Sequence, residues 1–244
     1  MIKKVFIDTD ICNIGADAIV LPANESLKEG SGASTALFQA AGRKELTRAC
    51  EKIGHCDVGS AVVTDAFNLN AQFIIHACVP KWVDGDNDEY KLLCSAYIAA
   101  LQMADLLNCI TIAFPLLASG NNKFDKELAL EIAVKCIESF EPKHLQQAVI
   151  VLYGENTVDL VKKSGYPVIS VSAPNKQRMH ATIKLQPSAN TAEFQQAAMN
   201  WFKERKHQQA VLAAGVVVLN TVLKNKKGVV KTVDQVAHII TDAL

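Results

Sequence analysis

Gly30-Ser31-Gly32 is the first place in this chain where residue types and spacing could do chemistry. Glycine in a loop can take φ > 0 and lets another group approach its backbone closely. An apolar run of strand length, Ala18 to Leu21, precedes it and is expected to end at Pro22, which cannot donate to a ladder. Behind it, Ala33, Ala36, Leu37, Ala40 and Ala41 recur at helical spacing until Gly42 supplies a stop. Strand, glycine loop and helix N-terminus together make an anion site. The unpaired N–H groups of the first helical turn and the positive end of its dipole both face the loop. The stretch is not a Walker loop, because no Gly-Lys-Ser/Thr follows, and Thr35 stands where Gly-x-Gly-x-x-Gly needs its third glycine. Alone, the tripeptide is also the composition of an ordinary turn.

A second loop repeats the same physics. Ile112-Ala113-Phe114-Pro115 runs into Ser119-Gly120-Asn121-Asn122, and Asp125 can cap the helix that follows. Two such loops at the carboxyl ends of strands in one sheet face a shared crevice, where open α/β sheets bind ligands. Two groups of backbone N–H donors across a crevice suit two linked phosphates better than one. With amides as donors, the site needs no lysine. Other candidates read as structure. His76 is expected in the core at a strand end, and the acidic loop Asp84 to Asp88 is expected to cap a helix. That loop lacks the closing Glu of an EF-hand, so calcium is not expected. Lys224 to Gly228 reads as a solvated basic turn.

Strands are expected at Lys4–Ile7, Ala18–Leu21, Ser60–Thr64, Phe73–Ala77, Thr111–Pro115 and Ala148–Tyr153, with helices between them. The longest helix, about Glu89 to Leu107, has Leu93, Ala96, Tyr97, Ala100, Leu101 and Ala104 on one face. This alternation predicts an α/β fold with helices covering a mostly parallel or mixed sheet. Beyond about Gly165 the pattern changes. Tyr166–Val171 and Ala181–Leu185 could be further strands. Asn190-Thr191-Ala192-Glu193 is a capping-box helix start, Ala210 to Leu223 is apolar nearly all round, and a last helix starts at Thr232.

The whole-chain numbers set limits on all of this. Over 244 residues, Lys plus Arg and Asp plus Glu balance at 25 each. No global field therefore exists to hold nucleic acid or an anionic membrane. The seven cysteines are scattered without a Cys-x-x-Cys pair, which suggests buried free thiols in a reducing compartment. No run reaches membrane-spanning length and Val5-Phe6-Ile7-Asp8 is too short for a signal core, so a cytoplasmic protein is expected.

From about Asp8 to Gly165 the chain resembles a macrodomain, the ADP-ribose-binding α/β/α fold. Asp10-Ile11 followed by Asp17-Ala18-Ile19-Val20 resembles the family's opening, and Leu21-Pro22-Ala23-Asn24 stands where the family has Asn-Ala-Ala-Asn. Glu29-Gly30-Ser31-Gly32-Ala33 occupies its first phosphate loop. Asp57 to Thr64 and Phe73-Ile74-Ile75-His76 resemble two of its strands, and Ile112 to Gly120 resembles Ile-Ala-Phe-Pro-Ala-Ile-Ser-Thr-Gly, its second phosphate loop. The resemblance implies a three-layer α/β/α domain over residues 1–168 with a mixed central sheet, and leaves 169–244 as a small, mainly helical appendage. That appendage is a candidate surface for a protein partner.

By the same resemblance, Asp10 accepts a hydrogen bond from the adenine amino group with the Ile11 backbone beside it, and Tyr153 stacks on the base. Asn24 binds the distal ribose hydroxyls. Backbone amides around Gly30, Ser31, Gly32 and Ala33, and from Ser119, Gly120, Asn121 and Asn122, hold the diphosphate. No metal and no cofactor is implied. The departures fall in the distal half. Leu21 replaces the first Asn of Asn-Ala-Ala-Asn, Asn122 stands for an aromatic residue, and Ser34 replaces the Asp with which hydrolytic members position or activate a water. Serine without a histidine partner is no general base near neutral pH. The expected ligand is therefore ADP-ribose, its O-acetyl ester or an ADP-ribosylated protein. The alternative is a hydrolase that removes ADP-ribose from protein or deacetylates O-acetyl-ADP-ribose, with Asn24 the best catalytic candidate. A degenerate crevice that binds nothing is the third reading.

Overall fold

The computed structural model describes residues 1–171. Strand and helix alternate as β1 (Lys3–Asp8), β2 (Ala18–Ala23), α1 (Ala33–Ala41), α2 (Arg43–Ile53), β3 (Ala61–Asp65), β4 (Phe73–Cys78), α3 (Glu89–Leu106), β5 (Thr111–Pro115), α4 (Lys126–Ser139), β6 (Gln147–Leu152), α5 (Glu155–Lys163) and β7 (Val168–Ser170). The expected strand at Ala181–Leu185, the later helices and their candidate partner surface lie outside the described residues.

Among the described residues the strands form one sheet in the order β3-β4-β2-β5-β6-β1-β7. β3 runs antiparallel to β4 and every other pair is parallel, so the sheet is mixed. β7 pairs with β1 through Phe6↔Val168 to Asp8↔Ser170, which carries the sheet past the boundary expected at 168.

Both faces of the sheet are covered because its strands are apolar on both sides, as buried parallel strands are. Along β2, Ala18 and Val20 join one core with α3 and α4, while Ile19, Leu21 and Ala23 join the other with α1 and α2. β6 divides in the same way, Ala148, Ile150 and Leu152 against Val149 and Val151. A one-residue shift in register would exchange these sets between faces, so the strand ends are fixed relative to one another.

Pro22 does not end β2 as expected. The strand continues through it to Ala23, paired with β4 along its whole length from Ala18↔Phe73 to Ala23↔Cys78. On its other side β2 pairs with β5 only at Ala18↔Ile112 and Ile19↔Ala113. Proline is tolerated where a strand has an open side, and from Val20 onward the β5 side of β2 is open. β5 meanwhile stays paired with β6 as far as Pro115↔Val151. The two central strands thus part at their carboxyl ends and leave a gap.

The acidic loop at 84–88 is built differently from expectation. Asp88, the residue before α3, has φ 57° and makes no side-chain cap bond. Instead the buried Glu89 carboxylate turns back and accepts N–H bonds from Val83, Asp84, Gly85 and Asn87 at 2.8–3.2 Å. Burial raises its pKa and these backbone donors lower it, with the donors prevailing. His76 is wholly buried, as expected, with Nε2 2.9 Å from Thr64 Oγ1, and burial depresses its pKa to about 3. All seven cysteines are free and six of them are buried.

Candidate functional site

The gap between the ends of β2 and β5 opens into a cavity of ≈ 590 Å³. Ten of the residues named from the sequence line it: Asn24, Gly30, Ser31, Gly32, Ala33, Ser119, Gly120, Asn121, Asn122 and Tyr153. Pro22, Pro115 and Leu116 line it where the strands part.

The first loop is held from within α1. Ser34 is buried, and its Oγ accepts the Gly30 N–H at 3.0 Å. Thr35 Oγ1 donates to the Gly30 carbonyl at 2.5 Å, so both faces of that residue are gripped by the helix behind it. Glu29 is anchored by Arg43, whose Nε and second terminal nitrogen reach its two carboxylate oxygens at 2.7 and 2.9 Å. Gly32 sits before the helix at φ 60°, ψ −125°, a conformation that side chains disfavour, and makes no side-chain cap. Among the described residues the N–H groups of Ser31, Gly32 and Ala33 have no acceptor. An uncapped helix N-terminus opening into a cavity is an anion-binding arrangement.

The second loop is held by the opposite core. Tyr97, fully buried on α3, accepts the Leu117 N–H on its Oη at 3.0 Å, and burial pushes its phenol well above the ordinary range. Ala118 and Lys123 bracket the turn in the left-handed region, at φ 61° and 60°. Such non-glycine residues store strain, on the order of 1 kcal/mol each. They persist here because Phe124 N–H bonds the Ala118 carbonyl at 3.2 Å and Lys123 N–H bonds Gly120 at 2.9 Å. Asn122 donates its amide to the Pro80 carbonyl at 2.8 Å and accepts the Trp82 N–H at 2.8 Å on its own carbonyl. The N–H groups of Ser119, Gly120, Asn121 and Asn122 lack acceptors among the described residues. The two loops face each other at close range: Asn121 Nδ2 donates to Ser31 Oγ across the cavity.

Asn24 lines the cavity, yet its side chain is largely committed to its own turn. Its Oδ1 accepts Ser26 Oγ at 2.9 Å and the Lys28 N–H at 3.1 Å, and its Nδ2 donates to the Lys28 carbonyl at 2.8 Å. One amide hydrogen remains. Asp10 and Ile11 are not in the cavity wall. Ile11 is buried in the α1–α2 core, and exposed Asp10 accepts the Cys12 N–H at 2.9 Å, capping the 3-10 turn Ile11–Asn13. Asp10 nonetheless stands near Tyr153, since the preceding Thr9 N–H bonds Leu152, the residue before it. Tyr153 is 83% exposed, a ring left uncovered at the cavity mouth.

Lys81, Lys126, Val79 and Thr157 also line the cavity and were not foreseen. The local signal for two of them is weak: Lys126 follows the helix cap Asp125 directly, and Thr157 is one turn beyond Tyr153. No carboxylate and no histidine line the cavity among the described residues. Lysines and amide donors make it electropositive, although the chain as a whole is neutral.

Comparison with known proteins agrees with this geometry. A family model described as the Macro domain matches residues 20–133. An O-acetyl-ADP-ribose deacetylase of Escherichia fergusonii is 39% identical over 160 residues, which are 63% of this chain and 90% of that protein. Among solved structures, the Oceanobacillus iheyensis macrodomain with ADP superposes with a TM-score of 0.61 at 28% identity, covering 64% of this chain and 87% of that one. A mutant of the same macrodomain with ADPR gives 0.60 at 26% identity, over 65% and 89% of the two chains.

Proposed function

This chain belongs to the macrodomain family, and on that premise we propose that its cleft binds ADP-ribose or a derivative of it, such as an ADP-ribosyl group on a protein or O-acetyl-ADP-ribose. One observation carries the reading. Two loops whose amides lack partners among the described residues meet through Ser31 and Asn121 over one cavity at the carboxyl ends of β2 and β5. A diphosphate satisfies both sets of donors at once.

The remaining groups order the ligand along the cleft. The adenine ring lies on the uncovered face of Tyr153, with the exposed Asp10 carboxylate available to its amino group. The distal ribose points toward Asn24, whose one remaining amide hydrogen can meet a hydroxyl. Where a carboxylate would activate water, Ser34 instead spends its hydroxyl on Gly30. With no carboxylate or histidine in the wall among the described residues, no side chain described there is suited to act as general base near neutral pH. Binding is therefore favoured over turnover.

The second reading is deacetylation of O-acetyl-ADP-ribose, the activity that names the Escherichia fergusonii relative. It requires a water held by the ligand's own phosphates and oriented by Asn24. Calorimetric titration with ADP-ribose, run beside acetate release from O-acetyl-ADP-ribose, separates the two. Binding without release supports a reader, and release abolished by Asn24→Ala supports an enzyme. A titration with no heat, backed by no ligand-induced rise in Tm, overturns both.

A further inference from the structure

We propose that the adenosine end of the cleft carries an anion subsite, made by Lys126 and Thr157, that favours ADP-ribose derivatives bearing a phosphate monoester on the adenosine ribose. The inference rests on the ligand orientation given above and extends it.

The placement follows from contiguity. With adenine on Tyr153 and the diphosphate against residues 119–122, the ribose that joins them passes between those two segments. Lys126 lies four residues beyond Asn122 at the start of α4, and Thr157 four beyond Tyr153 in the first turn of α5. Both line the cavity, and Lys126 Nζ donates to Thr157 Oγ1 at 3.4 Å, which joins the two segments beside the path of the ribose. Thr157 is 5% exposed, so its hydroxyl is fixed by packing and not by solvent.

Lys126 has charge to spare. An ammonium carries three donors, and here one makes a single long bond. It forms no ion pair among the described residues. Its neighbour Asp125 is committed to the Leu128 N–H at 2.9 Å, and neither Asp125 nor Glu127 lines the cavity. The diphosphate does not require this lysine, because the loop amides already face it. Lys81 also lines the cavity, but its segment is tied to the second loop at Asn122 through the Pro80 carbonyl, whereas Lys126 reaches the Tyr153 segment at Thr157. A phosphate on the 2′ or 3′ oxygen of the adenosine ribose would give Lys126 a charged acceptor and the Thr157 hydroxyl a second partner.

Calorimetric titration of the full chain with ADP-ribose, its 2′-phosphate and its 3′-phosphate tests this at low and at moderate salt. One phosphorylated isomer is expected to bind about fivefold tighter than ADP-ribose at low salt, with the gain shrinking as salt rises. Lys126→Met should bring that affinity ratio back to near one, and Lys126→Arg should keep most of it. If ADP-ribose binds and neither isomer gains, or if the gain survives in Lys126→Met, the subsite is refuted while the parent reading stands. If ADP-ribose itself fails to bind, both fall.

Discussion

Replacing Ser34 by alanine probes the hinge on which the first phosphate loop turns. The Ser34 hydroxyl is buried and its recorded role is to accept the Gly30 N–H at 3.0 Å. Alanine keeps the helix, for which it is the better residue, and leaves the N–H of Gly30, an exposed residue, with only water to accept it. The change then removes the net contribution of one hydrogen bond, ~0.5–1.5 kcal/mol. In a domain of this size that lowers Tm by roughly 1–6 °C. Thr35 still grips the Gly30 carbonyl, so the loop loosens without detaching. A loosened loop must be ordered when ligand arrives, and ADP-ribose affinity should weaken about threefold to tenfold. Differential scanning fluorimetry and calorimetry on the purified variant read both quantities. Wild-type values of Tm and Kd together would show that the bond from Gly30 to Ser34 holds nothing, and that the amides of residues 31–33 are aimed by some other contact.

Tyr153→Ala separates stacking from folding. The ring is almost uncovered, so Tm should stay within about 1 °C of the parent, while loss of base stacking at ~1–3 kcal/mol weakens ADP-ribose binding by roughly five- to a hundredfold. Unchanged affinity would remove Tyr153 from the site. The response to acid tests the cores instead. Glu89 and Asp105 are held below their ordinary pKa by backbone N–H donors that outweigh burial, and burial keeps His76 neutral down to about pH 3. The carboxylates stabilise the fold above their ordinary pKa and cease to do so as pH falls through the depressed value. The unfolded chain protonates its histidine from about pH 6.5 downward while the fold cannot, so stability declines from there. The urea midpoint should therefore fall steadily from about pH 7 to pH 4, and His76→Gln should flatten the upper part of that decline. A midpoint constant over this range would contradict the assignment.

The class of fold, the paired glycine loops and eight of the ten lining residues were legible because each rests on local signals, whereas Asn24 and Tyr153 came from the family resemblance. Glycines before a helical repeat, twice over, need no knowledge of the rest of the chain. What was not legible depended on partners distant in sequence. Pro22 looked like the end of a strand because nothing in the sequence shows that β2 loses β5 after Ile19 while keeping β4. The acidic loop at 84–88 looked like a helix cap, yet Glu89 just after it gathers the loop's amides. Asn24 was read through its role in the family, and the structure shows that most of its hydrogen-bonding capacity serves residues 26 and 28. Lys126 and Thr157 escaped notice for the same reason. Each is ordinary on its own helix, and only the packing of α4 beside α5 sets them into one wall.

The cleft exists because β2 and β5 stop pairing before they stop being strands. Continuing their shared register, Ile19↔Ala113 would be followed by Val20 opposite Phe114 and Leu21 opposite Pro115. Val20, Leu21 and Phe114 suit a sheet interior and are in fact buried. Yet each strand carries a proline at this end, Pro22 and Pro115, and neither has an N–H with which to extend the ladder. Both prolines instead face the cavity. β4 and β6 hold the outer sides of the two strands through those residues, so they cannot fray, and the open space falls between them. The loops that leave β2 and β5 consequently start from either side of one gap, close enough for Asn121 to reach Ser31. A ligand with two linked anionic groups is the object that fits two amide-lined turns so placed. The prolines and the glycines are thus parts of one device: the former keep the strands from closing, and the latter present the backbone that the opening exposes.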